Sequence, residues 1–410
     1  MSIVRPFPGL RPPADKVLQV ACPPYDVVNT EEARAYAKGN PLSFFHVSRP
    51  EIDLPEGTDS HAEEVYALGR TNFDRFKQEG VLVRDSRPCF YLYRQKMGAH
   101  VQVGFVCGAS VAEYQQNLIK KHELTRADKE DDRTRHIDDL NANDEPVFLT
   151  YRARPSIDAL VSTLCARAPT YDFTTDDGIG HTFWVVDGDG DIAKLEAEFK
   201  AIPELYIADG HHRSAAASRV AAKRSKAPGH SANEEYNFFL AVVFPHDQMQ
   251  ILDYNRVVKD LNGLSSEQFL QKISEKFEVR ATDEKKPSRA HSFGMYLDGR
   301  WHQLTAKPGT WDAKDPVKDL DVSILQENLL SPVLGIRDPR TDKRIDFVGG
   351  IRGMQELERV VNGGKAKVAF AMYPTSIEQL MAISDAGQIM PPKSTWFEPK
   401  LRSGLVVHEF

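Results

Sequence analysis

The chain has 410 residues, 41% hydrophobic and 27% charged, with a formal net charge of −7. At roughly 100–200 residues per domain, two or three domains are expected. The acidic balance argues against a dedicated DNA-backbone binder, which needs a basic domain. The four cysteines are widely spaced with no CxxC pair, which argues against a disulfide scaffold or a zinc ribbon. The longest apolar stretch, Phe238 to Pro245, is far short of a spanning helix, and no signal-peptide pattern precedes Pro13. A soluble, cytoplasmic protein without a membrane partner is expected.

Residues 1–110 read as an N-terminal α/β region. After a proline-rich opening, Thr30 to Lys38 has helix character, with Thr30 as N-cap and Gly39 as stop. Ser43 to Val47 reads as a short strand. Val65, Leu68, Phe73 and Phe76 fall at helical spacing within Ser60 to Glu79. Arg87 to Gln95 and Val101 to Ala109 read as a hairpin joined near Gly98.

Residues 111–260 form a second region, opening on the densely charged stretch Ile119 to Leu140. One reading of that stretch is a solvated helix laced with pairs such as Asp131–Arg135 and Lys129–Asp132. Strands are expected at Val147 to Tyr151, Thr182 to Val186 and Leu205 to Ala208, and a helix from about His212 to Arg224. The apolar run Phe238 to Phe244 suits a buried central strand.

Residues 261–410 form a C-terminal α+β region. A helix is expected over Ser265 to Phe277 and another over Ser376 to Asp385. Phe293 to Leu297 and Trp301 to Thr305 should pair around Asp298-Gly299, a strong hairpin signal. A polar turn, Leu334 to Arg344, precedes the strand Ile345 to Val348. The tail from Gly387 to Gly404 has prolines and aromatics to stiffen it, and carries Lys393, Ser394, Thr395, Lys400 and Arg402.

The densest chemistry lies in Ile207-Ala-Asp-Gly-His-His-Arg213. An apolar strand runs into Asp209-Gly210, and a small-residue helix follows. Unpaired N–H groups and a positive dipole at a helix start suit an anion. Gly210 lets the backbone approach closely, and His211, His212 and Arg213 add donors there. A helix cap alone needs neither two histidines nor an arginine. Zinc is not expected, because adjacent histidines diverge on a helix and no third ligand sits at zinc spacing. Glu123, in a basic neighbourhood with His122, Arg126, Arg133 and His136, is a candidate to deprotonate a hydroxyl. No P-loop, GxGxxG or protein-kinase signature is present.

Two resemblances follow from these segments. The Asp209-Gly-His-His-Arg213 turn resembles the signature of the free L-serine kinases of the ParB/sulfiredoxin-like superfamily. Lys121-His122-Glu123 resembles the segment carrying their catalytic glutamate, although they have proline where this chain has Lys121. Pro391-Pro-Lys-Ser-Thr395 resembles their C-terminal stretch that contacts nucleotide phosphates. Over its full length, the chain is similar to the family called domain of unknown function 1015. That likeness is carried by Pro23-Pro-Tyr-Asp-Val27, Asn40-Pro41, Phe44-Phe-His-Val47, Ile119 to His136, Tyr254-Asn-Arg-Val257 and Met390 to Gly404.

The resemblances imply an α+β fold of mixed sheets with flanking helices: a ParB/sulfiredoxin-like catalytic core over 111–260, between the two other regions. They imply a small-molecule kinase for free L-serine or a similar hydroxyl amino acid, using ATP or ADP with Mg²⁺. Glu123, Asp209 and His211 would be catalytic, with Asp209 a ligand of magnesium. Gly210, His212, Arg213, Lys393, Ser394 and Thr395 would bind nucleotide phosphates. His122, Arg126, Arg133, His136 and Trp396 would line the pocket. The alternative is a nucleotide-binding ParB-like regulatory protein without kinase activity, although no helix-turn-helix supports DNA as its partner.

Overall fold

The computed structural model describes residues 2–410. It is a mixed α+β structure that divides into two compact units. The first comprises Met1–Met249 and Pro399–Phe410, the second Gln250–Glu398. Strands of the stretch 1–110 and of the stretch 111–260 as far as Met249 share one sheet in the first unit, while the chain from Gln250 enters the second unit.

That sheet has nine strands: β1 (Val4–Arg5), β2 (Phe90–Met97), β3 (His100–Ser110), β4 (Ile119–Lys120), β5 (Val147–Tyr151), β6 (Tyr171–Thr174), β7 (Gly180–Val186), β8 (Leu205–Asp209) and β9 (Phe238–Pro245). Their order is β4-β8-β5-β9-β3-β2-β7-β6, with β1 beside β3. β9 is central as expected, parallel to β5 and antiparallel to β3. An apolar run without alternation suits it, since both faces of such a strand are covered. One core contains Leu92, Phe105, Tyr151, Trp184, Phe199 and Leu205. A second gathers Phe44, Phe45, Phe73, Phe76, Leu140 and Val407. The unit's longer helices are α1 (Thr30–Ala37), α2 (Glu63–Gln78), α3 (Ala127–Leu140), α4 (Pro155–Cys165), α5 (Asp189–Lys200) and α6 (His211–Arg224).

Several local expectations are corrected. Asn29, not Thr30, caps α1, in a reciprocal capping box with Glu32. Ser43 to Val47 is not a strand: Phe45–Ser48 forms a helical turn that buries Phe44, Phe45 and Val47. Tertiary burial overrides the strand propensity of those residues. The charged stretch does form a helix, α3; Arg133 pairs with Asp132 and Arg135 with Asp139 within it, but other ion pairs leave the helix. Asp131 pairs with Arg219 on α6 at 2.6 Å, and Arg135 with Glu63 on α2. The charges therefore join α3 to its neighbours, while Ile137 packs on Ala216 and Val220.

The second unit has a six-stranded antiparallel sheet. Its strands are β10 (Tyr254–Val258), β11 (Phe277–Ala281), β12 (Ser292–Leu297), β13 (Arg300–Ala306), β14 (Ile345–Gly349) and β15 (Val368–Ala371), ordered β11-β13-β12-β15-β10-β14. Asp298 and Gly299 both have positive φ in the β12–β13 turn, as a two-residue hairpin demands. The helix begun at Ser266 stops at Ile273, short of the predicted Phe277. Phe277 instead opens β11, edge-on to Phe293. No helix among the described residues is long and apolar enough to cross a membrane. The four cysteines are free, and Cys22, Cys89 and Cys107 are buried.

Candidate active site

The site is built where two parallel strands end side by side. Leu205 and Tyr206 of β8 pair with Ile119 and Lys120 of β4. Residues leaving the two strands in the same direction therefore stay adjacent. His122 and Glu123 emerge from one, Asp209, Gly210 and His211 from the other. Gly210 makes the turn into α6 with φ of 97° and ψ of 31°, a backbone region that side chains disfavour. A Cβ there would also lie 3.3 Å from the Arg213 guanidinium.

Asp209 is tightly held. Its Oδ1 accepts from the Gly210 amide at 2.9 Å and its Oδ2 from Lys400 Nζ at 2.8 Å. Burial opposes ionisation, but Lys400 and Arg213 outweigh it and keep the carboxyl far below the usual range. His211 and His122 meet edge to face, ring centroids 4.4 Å apart. The His122 amide donates a long bond, 3.4 Å, to His211 Nε2. A neutral His211 with Nε2 accepting carries its proton on Nδ1, which faces Glu123 Oε2 at 4.0 Å. Burial, and then His122, push the His211 pKa well down. Burial brings His122 down to about 4. Both rings are therefore neutral at pH 7. Glu123 is the open member, its side chain 47% exposed. His212, half-buried, accepts from the Arg126 amide at 3.1 Å.

Other expected residues are engaged with partners of their own. Arg213 is buried: it donates to the Pro146 carbonyl and to Asp26 Oδ2, the latter at 3.2 Å, while its Nε has no partner. Arg133 pairs with Asp132 at 2.9 Å and lies over the Tyr25 ring. His136 pairs with Asp144 at 3.0 Å, both buried. Arg126 projects outward onto Asp128. Lys393, Ser394, Thr395 and Trp396 belong to the second unit. There the Ser394 hydroxyl donates to the Pro391 carbonyl at 2.6 Å, and Trp396 Nε1 to Glu398 at 2.8 Å.

Sequence reasoning missed four participants. Asp26 holds Arg213, and Tyr25 stacks under Arg133, so the Pro23–Val27 motif supports the turn from behind. Lys400 stood out only as one tail cation among several. Glu145 gave no signal at all. It is buried, and accepts from the Tyr25 amide and the Ser403 hydroxyl. Burial and the neighbouring Asp144 push its pKa up to about 8. A carboxyl raised on folding favours the native state most below its unfolded pKa, and loses that contribution as pH rises through the folded value. Glu145→Gln is therefore expected to gain stability relative to the parent as pH goes from about 5 to 8. Urea denaturation at both pH values checks this; a constant difference would contradict it.

His122, Glu123 and His211 each offer one ligand atom, all within 4.8 Å of one another. Local spacing offers no third ligand, but the strand pairing supplies the second histidine from 89 residues away. Two nitrogens and one oxygen suit a borderline transition metal more than magnesium, which prefers oxygen ligands and keeps its waters. Asp209, the expected magnesium ligand, has one oxygen on Lys400 and the other on Gly210.

The architecture is thus a mixed-sheet α+β protein with a His/Glu/Asp opening at a strand–turn–helix junction. The chain belongs to the family described as Protein of unknown function (DUF1015), whose model matches residues 4–323. No curated protein matches it in sequence. Among solved structures it is similar to a free serine kinase in complex with AMP, at 12% identity and a TM-score of 0.35, covering 68% of this chain and 84% of that one. It is also similar to SbnI with C-terminal truncation from Staphylococcus aureus, at 11% identity and a TM-score of 0.39, covering 73% and 85%. A conserved hypothetical protein from Pyrococcus furiosus aligns at 12% identity and a TM-score of 0.32, covering 68% and 87%.

Proposed function

We propose that the chain is a small-molecule kinase that moves a phosphoryl group from ATP or ADP to the hydroxyl of free L-serine or a similar amino acid. The observation that carries this reading is the pairing of an exposed carboxylate, Glu123, with a neutral His211 at the start of α6. Phosphoryl transfer asks the protein mainly for positioning and charge stabilisation. Glu123 takes the proton from the acceptor hydroxyl. The hydroxyl oxygen forms the new bond to phosphorus as the bond to the nucleotide's bridging oxygen breaks, and the nucleotide leaves one phosphate shorter. The amides opening α6 and the His211 Nδ1 proton face the charge on the transferring group. Lys400 fixes Asp209, which orients the acceptor. Lys393, Ser394 and Thr395 are assigned to nucleotide phosphates by the motif resemblance. Magnesium, when bound, neutralises phosphate oxygens.

Protein incubated with ATP or ADP, Mg²⁺ and L-serine is expected to yield phosphoserine, read by ³¹P NMR. No product from serine, threonine or homoserine with either donor would end the reading. Nucleotide binding without transfer would favour a regulatory protein of the ParB type.

A further inference from the structure

In the second unit, Arg256 is a buried cation that makes no ion pair among the described residues. Arg256 on β10 is 4% exposed. Its guanidinium donates to the carbonyls of Tyr254 and Lys393, the latter at 3.0 Å, and lies 5.4 Å from the Phe347 ring centroid. These partners are neutral. Burial lowers the pKa only to about 10, so the group stays charged at neutral pH. Removing an ion from water without an opposite charge is costly, and an anion arriving from solution would offset that cost.

Arg256 lines a cavity of about 410 Å³, within the range of small-molecule sites. Its charged lining is three arginines and one aspartate. Arg340 is held by Asp338 at 3.0 Å. Arg337 stands exposed at the polar turn before β14. The excess is two positive charges, which matches a dianion better than a carboxylate. The rest of the lining includes an apolar stretch, Ile389, Met390, Pro391 and Pro392, together with Phe347, and its two prolines restrict the backbone.

We propose that this cavity binds a phosphate monoester carrying a flat apolar group, with Arg256 and Arg337 on the phosphate and the Ile389–Pro392 stretch against the ring. Arginine's planar fork of donors suits phosphate oxygens. The site lies wholly within the second unit and requires no transfer chemistry at Glu123.

Titration calorimetry on the full chain tests it with phenyl phosphate, AMP, benzoate and inorganic phosphate. At least one ester is expected to bind tenfold or more tightly than inorganic phosphate and benzoate. Arg337→Glu, at an exposed position, should weaken that ester at least tenfold while keeping the parent melting temperature. Arg256→Lys should weaken it as well. Glu123→Gln should bind the ester like the parent. Esters no tighter than inorganic phosphate, benzoate tighter than both esters, or parent-like affinity in Arg337→Glu would each overturn the proposal. Absence of phosphoserine in the transfer assay would bear on the first unit alone, and phosphoserine formed by a chain that binds no ester would overturn only this site.

Discussion

Glu123→Gln is expected to lower phosphoryl transfer by about 10²- to 10⁴-fold, the range general-base catalysis supplies, while nucleotide affinity changes less than about threefold (under ~0.7 kcal/mol). The amide keeps the size of the side chain but cannot accept the hydroxyl proton at neutral pH. The split between turnover and binding is the informative part. Glu123 is half exposed and lies 4.0 Å from His211 Nδ1, so its loss should leave the fold intact. Rapid-quench turnover and calorimetric nucleotide binding provide the two readouts. Parent-like turnover would remove Glu123 from the mechanism, and a loss of folding would show that it is a structural group.

Arg213→Ala is expected to destabilise the chain by about 3 kcal/mol, at the low end of what removing one partner from a buried ionic contact costs. The guanidinium is buried and joins three segments distant in sequence: its own helix, the Pro146 carbonyl and Asp26. Asp26→Asn should cost less than about 1 kcal/mol, because the Asp26 side chain is 37% exposed and water screens it. Arg213→Lys should not restore stability, since a single ammonium cannot serve the carbonyl and the carboxylate with a planar fork. Urea denaturation measures all three, and a loss below 1 kcal/mol for Arg213→Ala would show the contact to be incidental.

Arg213 also marks how far the sequence could be read. The strand–turn–helix at Leu205 to Arg224 was legible because its signals are local: an apolar run, a glycine at the turn, small residues after it. The same signals suggested that Arg213 faces a ligand, and its inward direction depends on Asp26, which only the folded chain brings near. The meeting of His122 with His211 was invisible for a related reason. It follows from β4 lying parallel to β8, and parallel pairing leaves no hairpin signal between the strands. Ser43 to Val47 shows the opposite failure. Its aromatic and β-branched residues have strand propensity, yet packing against Phe73 and Phe76 selects a helical turn. The hairpin at Asp298-Gly299 carries its own backbone instruction, and it was legible in full.

The return of Pro399–Phe410 to the first unit has a consequence for how the protein is made. Lys400 reaches Asp209, Ser403 reaches Glu145, and Val407 pairs with Leu10. During synthesis, residues 1–249 leave the ribosome well before these partners exist. Asp209 then waits without Lys400 while all of residues 250–398 are translated. Until then Arg213 is present to offset Asp209, but Lys400 is not. A message cut short before codon 399 would yield a first unit lacking the lysine that sets Asp209, so only full translation delivers a finished site.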